Sequence, residues 1–142
     1  GVHARYRVYP HNGGFNPVRA QRQGLDTAFS QPLLQQMGEP KEKSLFPARG
    51  ELLRLPENLE PGLPVFTLHV KPARKGRGLI VRLYNASDNP QIARIASGLQ
   101  QITAAQLCDL SENPLKSLTL TGGEISVPIP AHQVSTLRLE IK

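Results

Sequence analysis

The prolines and glycines of this chain constrain its fold more than any other feature. Thirteen prolines and twelve glycines are spread over 142 residues, and they leave few windows in which a long helix can run unbroken. A chain of this length is typical of one domain with a single hydrophobic core. No stretch approaches the roughly 20 consecutive apolar residues that a membrane-spanning helix requires. The composition therefore predicts a globular, β-rich domain with many turns.

Short runs of alternating apolar and polar residues predict strands along most of the chain. The final run is the most regular, with Leu137, Leu139 and Ile141 on one face. Gly122 and Gly123 lie between two apolar runs and predict a tight hairpin. The predicted strands are Ala4–Tyr9, Glu51–Leu55, Val65–Val70, Leu79–Tyr84, a run from Gln91 that includes Ile95, Leu118–Thr121, Glu124–Ile129 and Val134–Ile141, with Ile102–Leu110 as either a strand or an irregular edge.

Three of these runs also predict where individual side chains lie. Val8 is expected on the buried face of the first strand. In the strand that begins at Val65, the spacing predicts that Phe66, Leu68 and Val70 share one face. Pro128 has no N–H to donate to a neighbouring strand, so it predicts a sheet edge at that point.

One helix is expected near the start of the chain. Asn16 can serve as its N-cap and Pro17 as its first residue, and the helix can extend to about Ser30. Residues 31–50 contain several prolines and glycines and predict an irregular crossing segment. The fold class is therefore mostly β, an antiparallel two-sheet β-sandwich with one short helix near the N-terminus. We predict one domain over residues 1–142, with a strand, the helix and the crossing segment in 1–50 and β-strands in 51–142.

The positive charge of the chain lies entirely in its first half. Residues 1–78 carry twelve Lys and Arg against six Asp and Glu, whereas residues 79–142 carry five of each, which gives the net charge of +6. The densest cluster comprises Lys71, Arg74, Lys75 and Arg77, between two predicted strands. Single-strand nucleic-acid binders usually interleave aromatic residues with such charges. No aromatic residue is interleaved here. The pattern favours a solvated basic loop, with contact to an anionic partner as the alternative.

The sequence nominates no catalytic or metal centre. A single cysteine, Cys108, excludes an internal disulfide; it is typical of a small buried hydrophobe and is compatible with a reducing compartment. Asp109 and Glu112 are explained by a turn with a capping carboxylate. The triplet Asn85–Ser87 fits the glycosylation pattern, which recurs by chance in chains of this length. Metal-ligand spacing is absent among the four histidines, which are His3, His11, His69 and His132.

Five segments, in order along the chain, carry a family resemblance. The first contains a Tyr-Pro-His turn and is followed by an Asn-Pro pair and a Gln-Pro-Leu element; later segments contain an apolar strand with an internal Arg, an Asp-Leu-x-Glu turn, and a closing Thr-Leu-x-Leu strand. The segments are Arg5–His11 with Phe15–Pro17, Gln31–Leu33, Gly78–Asn85, Leu107–Glu112 and Ile129–Leu139. Together they resemble the C-terminal region of the glycoside hydrolase family 38 α-mannosidases.

The resemblance implies that the chain is the non-catalytic C-terminal β-domain of a retaining α-mannosidase-type enzyme, similar to bacterial, cytoplasmic enzymes that act on mannosylglycerate or small mannosides. In that family a zinc ion and an aspartate nucleophile belong to an N-terminal catalytic domain, which would be the partner of this chain in the same polypeptide, with the mannoside as substrate. No nucleic-acid or membrane partner is implied. A start at Gly1 rather than Met is expected for a processed chain or a piece of a longer one.

The resemblance also suggests a site. His11 and Asn12, in the loop Tyr9–Asn12, are candidates for contact with the substrate cleft of the catalytic domain, with a local hydrogen bond of His11 to its own turn as the alternative. The alternative function is an autonomous carbohydrate- or polyanion-binding β-sandwich module, whose polyanion contacts would be Lys71, Arg74, Lys75 and Arg77.

Overall fold

A computed structural model describes residues 8–28 and 50–142 of the chain. The contacts within the chain define two units, residues 1–39 and residues 40–142, and each is described by itself. The predictions for residues 1–7 and 29–49, which include most of the first strand and of the crossing segment, lie outside the described residues. That residues 1–142 form a single domain stays a prediction.

The described part of the first unit contains the predicted helix. Helix α1 spans Pro17–Ala28, with proline at its first position. The side-chain Oδ1 of Asn16 accepts a hydrogen bond from the backbone N–H of Arg19 at 2.9 Å, which is the geometry of an N-cap. The helix and its cap are therefore confirmed. The prediction for Val8 is wrong, because residues 8–10 form no strand and Val8 is 88% exposed.

The second unit is a sandwich of two antiparallel sheets, as predicted. Its elements are β1 (Leu53–Arg54), the short helix α2 (Pro56–Leu59), β2 (Val65–Pro72), β3 (Leu79–Asn85), β4 (Gln91–Ser97), β5 (Ile102–Cys108), β6 (Pro114–Leu118), β7 (Leu120–Thr121), β8 (Glu124–Ile129) and β9 (Val134–Ile141). One sheet has the strand order β1-β4-β8-β7, and the other has the order β2-β3-β9-β5-β6. The segment that the sequence left open, β5, is an interior strand paired with both β6 and β9.

The hydrophobic core lies between the sheets and contains the residues that the alternation predicts. Leu137 and Leu139 of β9 are fully buried in it, next to Val81 and Leu83 of β3. Because side chains alternate along a strand, Arg82 of β3 and Arg138 of β9 project from the opposite, outer face of the five-stranded sheet. This outer face carries the polar network described below.

The register of β2 differs from the prediction. Its pairing with β3 shifts between Thr67 and His69, which is a β-bulge. Before the bulge Phe66 pairs with Tyr84, and after it Val70 pairs with Val81. The extra residue places Phe66 and Val70 on opposite faces, so that the predicted shared face is wrong. Phe66 is buried, whereas Leu68 and Val70 are exposed.

The predicted hairpin forms around its glycine pair. Gly122 and Gly123 have φ values of 59° and 81°, the left-handed region that a tight primed turn requires. The strand before the turn is shorter than predicted, because Leu118 ends β6 in one sheet and the chain crosses at Thr119 to β7 in the other. Pro128 lies beyond the two residue pairs that join β7 to β8, so one side of β8 is open there, as predicted.

Candidate functional site

The loop before α1 forms a depression that includes both cleft candidates. His11 and Asn12 are exposed, and Gly13 takes a φ of 100° that lets the loop turn into the helix. The depression has a volume of about 380 Å³, and its lining includes Tyr9, His11, Asn12, Phe15, Arg19 and Gln23. Aromatic rings beside hydrogen-bonding groups suit contact with a sugar. The role of His11 and Asn12 in a substrate cleft stays a prediction.

The predicted basic cluster lies at the β2–β3 connection. Lys71 belongs to β2, and the other three cations lie in the loop that follows. The N–H of Ala73 donates to the carbonyl oxygen of Gly78 at 3.0 Å and closes the loop. Gly78 has a φ of 122°, and a Cβ atom at this position would lie 2.6 Å from the carbonyl oxygen of Leu139. Only glycine fits there, so the Gly-Arg-Gly sequence serves the turn.

The turn between β5 and β6 is held by its own carboxylate. Oδ1 of Asp109 accepts the backbone N–H of Asn113, and Oδ2 accepts its side-chain amide, both at 2.8 Å. The pKa of Asp109 is lowered because Asn113 donates these hydrogen bonds, the side-chain bond having the larger effect. The turn with a capping carboxylate that the sequence indicates is therefore present.

Glu112 of the same turn reaches the basic loop. It adopts a φ of 71°, and its carboxylate forms an ion pair with Lys71 and accepts the backbone N–H of Arg74 at 2.7 Å. The hydrogen bond from Lys71, followed by that from Arg74, lowers the pKa of Glu112. One of the four predicted cations is therefore already paired with an anion inside the chain.

Two outward-facing arginines complete this network and were not among the predicted site residues. Arg82 Nη2 donates to the carbonyl oxygen of Leu110 at 2.9 Å. Arg138 Nη2 donates to the carbonyl oxygens of Lys75 and Arg77 at 2.8 and 3.0 Å. Alternation along β3 and β9 predicts that these side chains point outward, but it gives no sign of carbonyl partners in other loops. We call Lys71, Arg82, Glu112 and Arg138, with the two loops they join, the outer-face network.

A second depression lies where these two loops meet. Its volume is about 350 Å³, and Arg74, Lys75 and Arg138 contribute to its lining. Arg77 is exposed and does not line it. The structure therefore brings together two of the four predicted cations with an arginine from β9, whereas Lys71 is paired with Glu112 and Arg77 lies outside this depression.

A larger, apolar groove lies at the edge of the sandwich, between residues of the two sheets. Its volume is about 710 Å³. Ile92 and Leu115, which line it, are 63% and 70% exposed. We call this the rim groove; its apolar lining includes Pro90, Ile92, Leu107, Leu115, Pro128 and Val134. The groove was not predicted from the sequence, because its residues come from five different strands and from the turns beside them.

One wall of the rim groove is held by Asn85. This side chain is fully buried, and its Nδ2 donates to the carbonyl oxygens of Asn89, Ile129 and Pro130 at 2.8 to 3.2 Å. Its Oδ1 accepts the backbone N–H and the hydroxyl of Ser87. With its amide engaged and inaccessible, Asn85 of the folded domain is a structural residue and not a glycosylation acceptor.

The remaining candidates for chemistry have structural explanations. Cys108 is buried, and burial raises the pKa of its thiol, so the unreactive thiol form is favoured. Within residues 8–28 and 50–142, no three His, Cys, Asp or Glu side chains group in a way that can hold a metal ion. No helix in the described parts of the chain is long and apolar enough to cross a membrane.

Comparison with known proteins identifies the sandwich. No curated protein matches the sequence. Residues 65–137, just over half of the chain, match the family described as "Glycosyl hydrolases family 38 C-terminal beta sandwich domain". The match includes the resembling segments Gly78–Asn85 and Leu107–Glu112 and most of Ile129–Leu139, and it begins after the segments near the N-terminus. The chain therefore belongs to the family of C-terminal β-sandwich domains of the family 38 glycosyl hydrolases.

Proposed function

We propose that this chain is a non-catalytic structural domain of an α-mannosidase-type hydrolase and that its rim groove packs against the catalytic domain. Membership in the family implies such a domain in the same polypeptide. The single observation that carries the proposal is the rim groove, in which large apolar side chains are exposed side by side. Exposed apolar surface of this kind marks an interaction site, because covering it removes apolar area from water.

The proposal assigns the chemistry of the enzyme to the partner domain. The zinc ion and the aspartate nucleophile are expected there, and the described residues of this chain offer no ligand cluster that fits zinc. No step of the reaction passes through the sandwich. We further propose a mannoside such as mannosylglycerate as the substrate of the whole enzyme, and the bacterial cytoplasm as its location.

His11 and Asn12 remain proposed contacts of the substrate cleft. Their support is the depression that they share with Tyr9 and Phe15, which offers rings and polar groups together. In the full-length polypeptide, His11→Ala and Asn12→Ala should raise KM for small mannosides and leave the thermal midpoint unchanged. An unchanged KM in both variants contradicts this assignment.

The outer-face network supports the structural role over a polyanion-binding role. A polyanion-binding loop needs a continuous array of free cations, and here Lys71 is paired with Glu112 and Arg77 lies outside the depression that Arg74 and Lys75 line. We accordingly propose no nucleic-acid partner and no membrane partner. Tight, saturable binding of heparin or single-stranded DNA by the 142-residue chain would contradict this.

The scaffold proposal is tested by a matched pair of substitutions in the full-length polypeptide. Leu115 lines the rim groove and is 70% exposed, and Leu110 is 67% exposed and does not line it. We expect Leu115→Asp to lower the thermal midpoint of the full-length enzyme and Leu110→Asp to leave it within error, since only the first places a charge in the proposed interface. Both variants should leave the isolated chain equally stable.

Two results would overturn the proposal. The first is equal behaviour of the Leu115 and Leu110 variants in the full-length polypeptide. The second is hydrolysis of an aryl α-mannoside by the purified 142-residue chain, which would place reactive groups inside it.

A further inference from the structure

We infer that Arg74, Lys75 and Arg138 form a binding site for one small oxyanion, a phosphate or a carboxylate group. These three side chains line the depression of about 350 Å³ between the β2–β3 loop and the β5–β6 turn. Phosphate and carboxylate oxygens are the natural partners of guanidinium and ammonium groups. This binding function is separate from the packing role of the rim groove.

The charge balance inside the depression favours an anion. Glu112 is the one carboxylate in its lining, and both of its oxygens are engaged, one with Lys71 and the other with the N–H of Arg74. Among the described residues, no acidic side chain forms an ion pair with Arg74, Lys75 or Arg138. None of these three side chains is therefore already held in an ion pair with a carboxylate.

Arg138 and the backbone at Arg74 are also held in place before any ligand arrives. Arg138 is fixed by two carbonyl oxygens of the β2–β3 loop, and Glu112 fixes the backbone at Arg74. Groups that are already ordered lose less conformational entropy when a ligand binds. Ser111 and Asn113 of the β5–β6 turn add polar atoms to the lining.

The size of the depression selects a single group and not a polymer. A volume of about 350 Å³ is at the lower end of the range of small-molecule pockets. Arg77, the remaining cation of the loop, does not line it, so the cations do not form a continuous track along which a chain of phosphates can bind. The geometry therefore points to a terminal anionic group of a small molecule or a free anion.

The test is a titration of the isotope-labelled 142-residue chain, followed by NMR at constant ionic strength. Inorganic phosphate, acetate and glucose 6-phosphate are the three probes, with chloride as the balancing anion. We expect saturable shifts at the backbone amides of Arg74 and Lys75 and at the side-chain Nε–H of Arg138. Preference for phosphate, for acetate or for the sugar phosphate separates a free anion from a carboxylate and from a phosphorylated ligand.

Two variants with the same change in net charge make the test specific. Arg74→Gln removes a lining cation, and Arg77→Gln removes an exposed cation of the same loop that does not line the depression. We expect Arg74→Gln to weaken binding about tenfold, the size of effect that one charge-assisted hydrogen bond can give, and Arg77→Gln to change it less than twofold. Equal urea midpoints for the two variants confirm that both are folded.

Three outcomes would overturn the inference. They are shifts that stay linear in ligand concentration for all three probes, equal weakening by the two variants, and shifts confined to residues outside the depression. None of these bears on the rim groove, so this proposal and the scaffold proposal can fail separately.

Discussion

The outer-face network and the rim groove belong to the same sandwich, but they differ in whether their side chains have partners within the chain. In the network, charged side chains find partners within the chain: Glu112 binds Lys71, and Arg138 binds two loop carbonyls. In the rim groove, Ile92 and Leu115 remain largely exposed. The network holds two loops together, whereas the groove offers uncovered apolar surface.

The difference indicates which surface needs a partner. Ion pairs and hydrogen bonds at a surface gain little when they are moved away from water, because water already solvates them. Apolar side chains gain about 25 cal/mol for each Å² that is covered. A second domain is therefore stabilised more by packing on the rim groove than by packing on the outer-face network.

The largest expected effect is at the wall of the rim groove. Asn85→Ala removes the amide that donates to the carbonyl oxygens of Asn89, Ile129 and Pro130, the bond to Ile129 being the buried one, and we expect it to lower the free energy of unfolding by about 3 kcal/mol. Urea denaturation measures this change. Asn89→Ala is the control, because the side chain of Asn89 is exposed. A loss below about 1 kcal/mol would show that the groove wall does not depend on Asn85.

The second effect tests the loop of the outer-face network. Gly78→Ala places a Cβ 2.6 Å from the carbonyl oxygen of Leu139 at a φ of 122°, and we expect a loss of about 2 kcal/mol. Gly62→Ala is the control, because a Cβ there meets no atom within 4 Å. Equal urea midpoints for the two variants would contradict the close packing of this loop.

The third effect is smaller and depends on pH. The lowered pKa of Glu112 means that its ion pair contributes stability above the ordinary carboxyl pKa of 4.5, and that this contribution is lost as the pH falls through the lower folded-state value. Glu112→Gln should therefore be less stable than the natural chain at pH 7, and the gap should narrow below pH 4.5. A gap that is independent of pH would show that the charge of Glu112 is not responsible.

The smallest expected effect tests whether the rim groove is separate from the hydrophobic core. Ile92→Thr in the isolated chain should change the free energy of unfolding by less than about 0.5 kcal/mol, because Ile92 is already exposed to water. Ile95→Thr, in the same strand and fully buried, is the contrasting variant and should cost several times more. A large loss for Ile92→Thr would mean that the rim groove is part of the core.

Much of the fold could be predicted from the sequence because alternation and turn residues act locally. The helix with Asn16 as its cap, the hairpin at Gly122 and Gly123, and the inward face of β9 were predicted correctly for this reason. The bulge in β2 was not predicted, because Phe66, Leu68 and Val70 have the spacing of a regular strand. The exposure of Val8 was also missed, since alternation indicates a strand without showing whether a neighbour pairs with it.

The candidate sites were harder to predict than the fold. The basic loop was predicted from the sequence, but Lys71, Arg74, Lys75 and Arg77 were all given the same role as contacts to an anion. Glu112, which pairs with Lys71, lies 41 residues away from it, and Arg138, which lines the depression with Arg74 and Lys75, lies 63 residues away from Lys75. A sequence pattern of a few residues cannot contain such a pairing.

The sequence by itself determined a β-rich sandwich, its strands and tight turns, and the resemblance to the family to which it belongs, because periodicity, glycine and proline act over a few residues. The tertiary structure decided which cations are paired, which of them face a common depression, and where apolar side chains stay uncovered. These features depend on strands and loops that are distant in the chain and adjacent in space, and only the folded sandwich brings them together.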